Sequence, residues 1–215
     1  MKKYGLTERL SVLAALYPQL NIGRVLSQEK GYYKIATDHG EKLAEVSGKF
    51  RFNAVTTSEF PAVGDFVMVD WNEVGGIAII HYVLPRTSCF TRRAAGESRV
   101  EQVVAANIDT VFLCMSLNND FNLRRLERYL SVAWDSGAVP VIVLTKADLC
   151  DDLEQKQAEV SSIAIGVDVL VTTALERDGY VQILPYIAEG KTVAFIGSSG
   201  VGKSTLINCL LGEQR

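Results

Sequence analysis

No two cysteines in this 215-residue chain form a CxxC pair; Cys89, Cys114, Cys150 and Cys209 are widely separated. That spacing speaks against a zinc clasp within these residues. Cys114 and Cys209 stand among apolar neighbours, and they are expected to be small core residues in a reduced cytosol. Histidine is scarce too. His39 and His81 have no clustered partners, and no Ser/His/Asp or Cys/His arrangement points to covalent catalysis. The opening Met1-Lys2-Lys3-Tyr4 leads into an amphipathic stretch, without the apolar run of a signal peptide or a membrane span. Charge of one sign is also lacking. The formal net charge of −3 makes no global case for nucleic-acid binding, so any RNA contact must rest on a local basic patch. There is no internal repeat and no low-complexity tract. Hydrophobic residues make up 48% of the chain, which supports a packed core and excludes bulk disorder.

The length allows one large domain or two small ones, and the texture changes along the chain. Thr7 to Tyr17 reads as a short helix capped by Thr7, with Leu10, Leu13, Ala14 and Tyr17 on one face. Five short strands follow at Gly23–Gln28, Tyr32–Thr37, Glu41–Val46, Phe66–Trp71 and Ile77–Leu84, separated by turn residues. Five strands in so short a span suit a small barrel. The OB fold is the leading candidate, and an SH3-like barrel is the rival that strand count leaves open. A polar connector comes next. Then apolar β-rich runs at Ile108–Met115, Val139–Thr145, Val167–Thr172 and Thr192–Ile196 alternate with helical patterns at Leu123–Asp135, Asp152–Ile165 and Tyr180–Ala188. That alternation is α/β architecture on a parallel sheet. The division expected is an N-terminal arm over 1–18, an OB-fold domain over 19–88, a basic connector over 89–104 and an α/β domain over 105–215.

The chemistry lies in two motifs and their order. Gly197-Ser198-Ser199-Gly200-Val201-Gly202-Lys203-Ser204-Thr205 is a complete phosphate loop, fed by an apolar strand and left by a helix starting at Lys203. Its glycines let backbone N–H groups turn toward phosphate oxygens. Lys203 is expected to reach the β- and γ-phosphates, Ser204 to ligate Mg²⁺, and the helix N-terminus to add its partial positive charge. Thr145-Lys146-Ala147-Asp148 closes an earlier parallel strand, where ligands bind in open α/β sheets. The Asp148 carboxylate can accept from both guanine N1–H and the exocyclic amine, a donor pair that adenine lacks. The Lys146 stem can lie over the base. A plain polar turn with Asp148 capping the next helix is the competing reading of these four residues taken alone. Thr173-Ala174-Leu175 ends the following strand, as the turn whose backbone N–H meets guanine O6 does in GTPases. The base reader thus precedes the phosphate loop, the reverse of the ordinary order. That reversal points to a circularly permuted GTPase domain, an arrangement that works when the original termini lie close together.

Leu144-Thr145-Lys146-Ala147-Asp148-Leu149, the phosphate loop, Phe121-Asn122-Leu123-Arg124-Arg125-Leu126-Glu127-Arg128-Tyr129-Leu130 and Pro61-Ala62-Val63-Gly64-Asp65 together resemble the ribosome small subunit-dependent GTPase A family. The similarity runs from about Gly23 to the last residue. It implies an OB-type barrel, a permuted P-loop GTPase domain and a C-terminal zinc domain. It further implies GTP and GDP with Mg²⁺ as ligands, and a monomeric cytoplasmic protein, without a membrane, that hydrolyses GTP while assisting late maturation of the small ribosomal subunit and touching its rRNA. Thr145 stands where the usual base reader has Asn.

In the family the phosphate loop is followed by switch I, switch II and the zinc ligands, and this sequence stops at Arg215. Nucleotide binding with weak or absent turnover is therefore expected of residues 1–215 alone, no catalytic residue is identified among them, and zinc is expected only beyond them. Arg86, Arg92, Arg93 and Arg99 are candidate RNA contacts, each neutralised phosphate adding salt-dependent affinity, and a solvated linker is the equal alternative. Tyr32, Tyr33, Phe50 and Phe52 are expected to be core or half-buried strand residues rather than base-stacking platforms. Two rival functions remain open to the sequence. One is a non-catalytic OB-type RNA-binding module with a remnant nucleotide site. The other is an adenine nucleotide-using P-loop protein.

Overall fold

The computed structural model describes residues 1–71, 76–93, 101–118, 120–173 and 179–212. Its contacts divide into two units, Met1–Ile108 and Asp109–Arg215.

The first unit opens with helix α1 (Glu8–Ala14), started by Thr7, whose hydroxyl accepts from the Leu10 N–H. Leu10 is buried with Phe66, Met68 and Leu84. Strands β1 (Asn21–Glu29), β2 (Tyr32–Thr37), β3 (Gly40–Val46), β4 (Phe66–Asp70) and β5 (Ala78–Val83) close into a barrel of order β1-β2-β3-β5-β4. All pairs are antiparallel except β3 with β5, and β1 pairs with both β2 and β4. Lys30 and Gly31 both take positive φ, 47° and 87°, as a tight two-residue hairpin requires. Alternate residues point inward, so Val25, Tyr33, Ile35, Ala44, Val46, Val67, Val69, Ala78 and Ile80 form one core. This closed order, with its parallel β3–β5 pair, is the OB-type barrel and removes the SH3-like rival. A short helix α2 (Gly48–Asn53) follows β3, capped by the Ser47 hydroxyl. It puts Phe50 against the barrel core and leaves Phe52 90% exposed, so these two rings do not share a strand face as expected.

Arg86, a candidate RNA contact with a solvated linker as the alternative, is bonded within the fold. Asp65 is fully buried, and Arg86 Nε and Nη2 donate to its two carboxylate oxygens at 2.8 and 2.7 Å. The remaining donors reach the Ser58 and Phe60 carbonyls at 2.7 and 2.9 Å. Burial works against the Arg86 charge, but the hydrogen bond and charge of Asp65 outweigh it and hold its pKa above the ordinary value. Asp65 also accepts from the Ala62 N–H at 2.8 Å. Next to it Gly64 has φ 91°, and a Cβ there would lie 2.1 Å from the Ala106 carbonyl oxygen. The Pro61–Asp65 stretch is therefore a turn shaped by one bidentate ion pair and one close backbone approach.

The expected polar connector contains a two-stranded ribbon. β6 (Cys89–Arg93) pairs antiparallel with β7 (Glu101–Ala106), with a bulge between Phe90 and Thr91. Val103 and Ala106 bury against Ala62, and Phe90 is also buried. Sequence patterning missed the ribbon because the bulge breaks the alternation.

The second unit is a parallel sheet. β8 (Thr110–Ser116), β9 (Val139–Thr145), β10 (Asp168–Val171) and β11 (Val193–Ile196) lie in the order β10-β9-β8-β11, with β11 at one edge among the described residues. Every residue of β8 is buried, as befits a strand flanked on both edges and both faces. Helix α3 (Leu123–Ser136) buries Leu126, Leu130 and Ala133, starts at the Asn122 cap and stops at Gly137, φ 82°. Helices α4 (Leu153–Ile163) and α5 (Lys203–Leu211) complete the unit. The helix expected over Tyr180–Ala188 is instead a 3-10 segment, Val181–Tyr186, because Pro185 lies inside it and has no N–H for an α-helical bond. No described helix is long and apolar enough to cross a membrane.

The clamp predicts an asymmetric mutational effect. Arg86→Ala leaves the buried Asp65 carboxylate uncompensated and is expected to destabilise the first unit by about 3–5 kcal/mol. Arg86→Lys is expected to recover only part, because an ammonium cannot make the bidentate pair. Urea denaturation followed by circular dichroism checks both.

Candidate functional site

The phosphate loop occupies the turn from β11 into α5. Gly197 passes so close to β8 that an added Cβ would sit 2.5 Å from the Cys114 carbonyl oxygen. Gly200 and Gly202 take φ of 78° and 99°, a region that other residues rarely adopt. Gly202 is the N-cap of α5 and offers no side chain to it, which leaves the positive end of the helix to a ligand. Lys203 folds back over the loop, its Nζ donating to the Gly197 and Ser198 carbonyls at 2.7 Å each. Val201 points into the core, whereas Ser199, Gly200, Ser204 and Thr205 are exposed. Beneath the loop, burial pushes the Cys114 thiol up to about 12, the nearby Lys203 charge opposing it, so this cysteine is an inert packing residue.

The candidate base-reading tetrapeptide closes β9. Thr145 is its last strand residue, Lys146 takes the left-handed conformation at φ 58°, and Ala147–Leu149 forms a 3-10 turn that leaves Asp148 exposed. Thr173, just past β10, donates its hydroxyl to Asp148 Oδ1 at 2.7 Å. The third expected segment therefore meets the second at its first residue. Ala174 and Leu175 lie outside the described residues.

The two motifs are bonded to each other. The Thr145 hydroxyl donates to the Val201 carbonyl at 2.5 Å, across 56 positions of sequence. The order β9-β8-β11 makes this possible, because parallel strands put the carboxyl ends of β9 and β11 on one rim of the sheet. Sequence reasoning noted Thr145 only as standing where the usual base reader has Asn and missed this tie. It also missed Asp120, whose carboxylate accepts the Ser198 hydroxyl at 2.6 Å. The available signal was position: Asp120 follows the carboxyl end of the strand adjacent to β11.

The candidate RNA arginines divide. Arg86 is committed to Asp65, Arg92 is exposed on β6, Arg93 falls on β6, and Arg99 lies outside the described residues. No group of three or more Asp, Glu, His or Cys among the described residues is placed to hold a metal ion. The exposed Ser204 hydroxyl is a single hard oxygen donor, which suits Mg²⁺ arriving with phosphates and most of its waters.

The RsgA GTPase family matches residues 83–215. The chain belongs to that family. It is 46% identical over 211 residues to the small ribosomal subunit biogenesis GTPase RsgA 2 of Lactiplantibacillus plantarum, covering 98% of this chain and 59% of that protein. The RsgA protein of Opitutus terrae is 46% identical over 200 residues, covering 89% of this chain and 54% of that protein. The chain thus spans little more than half the length of the curated relatives it matches. Among solved structures, YjeQ from Thermotoga maritima superposes with a TM-score of 0.74 at 26% identity, covering 91% of this chain and 66% of that one. YloQ, described as a circularly permuted GTPase, gives 0.63 at 27% identity, covering 88% and 63%. The architecture is that of the RsgA family: an OB-type barrel followed by a circularly permuted P-loop GTPase fold.

The tie between motifs yields a test. Thr145→Val keeps the side-chain shape but strands the Val201 carbonyl, and is expected to destabilise the second unit by about 1–3 kcal/mol. Thr145→Ser keeps the hydroxyl and is expected to retain most of the stability. Urea denaturation of the two variants measures the difference.

Proposed function

We propose that this chain binds GTP and GDP and that the complete protein hydrolyses GTP during late maturation of the small ribosomal subunit. The observation that carries the nucleotide part is the single rim holding a phosphate loop and a guanine-reading turn joined through Thr145 and Val201. The ribosomal part rests on the names of the relatives, which are small ribosomal subunit biogenesis GTPases.

The residues divide the ligand among them. Gly197 to Gly202 present backbone N–H groups to the phosphates, and Lys203 exchanges its two loop carbonyls for phosphate oxygens. Ser204 would ligate Mg²⁺, which supplies charge neutralisation on the phosphates when bound. Asp148 takes the guanine N1–H and amine, Thr173 holds that carboxylate in place, and the Lys146 stem covers the base. In the complete protein these groups position the triphosphate for attack by water. The exposed Arg92 and the barrel surface are the proposed rRNA contacts, on a monomer acting in the cytoplasm.

Membership of the RsgA family disfavours both rival readings. The adenine reading has its own test. With a fluorescent GDP analogue bound to residues 1–215, GTP is expected to displace the probe and ATP to fail at about a hundredfold higher concentration. Equal competition by the two nucleotides would overturn the guanine assignment.

Asp148→Asn sharpens that test. It replaces an acceptor with an amide that also donates. Guanine affinity is expected to fall by about a hundredfold or more, while xanthine nucleotides, whose C2 carbonyl accepts, gain. The same competition assay reads both changes.

A further inference from the structure

The first serine of the phosphate loop is held from outside the motif. The Ser198 hydroxyl donates to Asp120 Oδ2 at 2.6 Å, and Arg125 Nη2 lies 2.9 Å from the same carboxylate oxygen. Arg125 also donates to the Asp120 backbone carbonyl. The segment between β8 and α3 is braced in turn. Asn118 Oδ1 accepts the Ser116 hydroxyl at 2.9 Å and the Asp120 N–H at 3.2 Å. Asn122 caps α3 by accepting from the Arg125 N–H at 2.9 Å. Asp120 is thus fixed along its backbone by Asn118, just past β8, and at its carboxylate by Arg125 on α3.

We propose that Asp120 is a positioning residue for the phosphate loop: held by Arg125, its carboxylate anchors Ser198 and preorganises the loop for the diphosphate of a guanine nucleotide, which slows nucleotide release. The inference rests on the guanine-nucleotide reading above.

Three physical points carry it. Ser198 is where two restraints meet, since its side chain goes to Asp120 and its carbonyl accepts from Lys203 at 2.7 Å. The neighbouring glycines give the loop wide conformational freedom, and ordering it at the moment of binding would cost affinity. Finally, a bare carboxylate beside a phosphate-binding loop would repel its ligand. The Arg125 guanidinium cancels that charge and leaves Asp120 as an oriented acceptor. The Ser198 hydrogen bond, with the hydrogen bond and charge of Arg125, outweighs burial and holds the Asp120 carboxyl below the usual carboxylate range. The acceptor is therefore ionised at neutral pH, and a hydrogen bond to a charged acceptor is stronger than a neutral one.

The experiment is release of a fluorescent GDP analogue from residues 1–215, with thermal unfolding as the control for fold. Asp120→Ala and Ser198→Ala are each expected to speed release about tenfold, with unchanged unfolding midpoints. The double variant is expected to be no faster than either single variant, because both remove one bond. Asp120→Asn, which still accepts from Ser198 but without the charge, is expected to release more slowly than Asp120→Ala and faster than wild type. Wild-type release from Asp120→Ala, multiplying effects in the double variant, or an Asp120→Asn as fast as Asp120→Ala would each overturn the proposal. If the wild-type chain fails to bind the probe, the guanine reading falls and a second readout decides this one. Amide hydrogen exchange at Ser198–Gly200 in nucleotide-free protein is expected to quicken in Asp120→Ala, and equal exchange would refute the tether.

Discussion

The hydrogen bond from the Thr145 hydroxyl to the Val201 carbonyl is the constraint on which the proposed nucleotide site depends. It joins the end of β9 to the middle of the phosphate loop and so sets the spacing between base reader and phosphate reader. An error in that spacing would leave either the base or the phosphates of the proposed ligand without partners. The bond requires β8 to lie between β9 and β11, all parallel, and it requires β8 to be buried along its whole length. The buried run Thr110–Ser116 meets that demand. Gly197 meets a second one by crossing against the Cys114 carbonyl, where a side chain would collide.

Permutation of the chain leaves this geometry untouched because the sheet positions its rim through strand order, not through sequence order. The two motifs are read in reverse along the chain, yet they face the same rim. The OB-type barrel is held by a different device. Its closure leaves no edge strands, and the turn that enters β4 is fixed by the Asp65–Arg86 pair, a buried carboxylate matched by a bidentate guanidinium. Removing one partner of such a pair is far costlier than never having had it.

Much of this was legible in the sequence, for identifiable reasons. The barrel strands declared themselves by alternation and by turn residues such as Lys30-Gly31. The phosphate loop declared itself by a full motif flanked by an apolar strand and a helix, and the motif order by inspection. What stayed hidden were interactions between distant residues. The ribbon of β6 and β7 is masked by a bulge. The inward turn of Arg86 cannot be read from an arginine among Thr and Ser, because its partner Asp65 lies 21 positions away. Tyr180–Ala188 keeps a helical apolar spacing that Pro185 overrules locally. Asp120 carries no motif of its own, and only the sheet brings it to Ser198, 78 positions on.

The central claim is that Thr145–Asp148 and Gly197–Ser204 form one guanine-nucleotide site. Backbone amide chemical shifts of residues 1–215, followed by NMR during titration with GDP and separately with ADP, test it most directly. GDP is predicted to move the amides of both segments together, along one saturation curve, while ADP at the same concentrations moves neither. Shifts confined to the phosphate loop, or equal responses to GDP and ADP, would contradict the account.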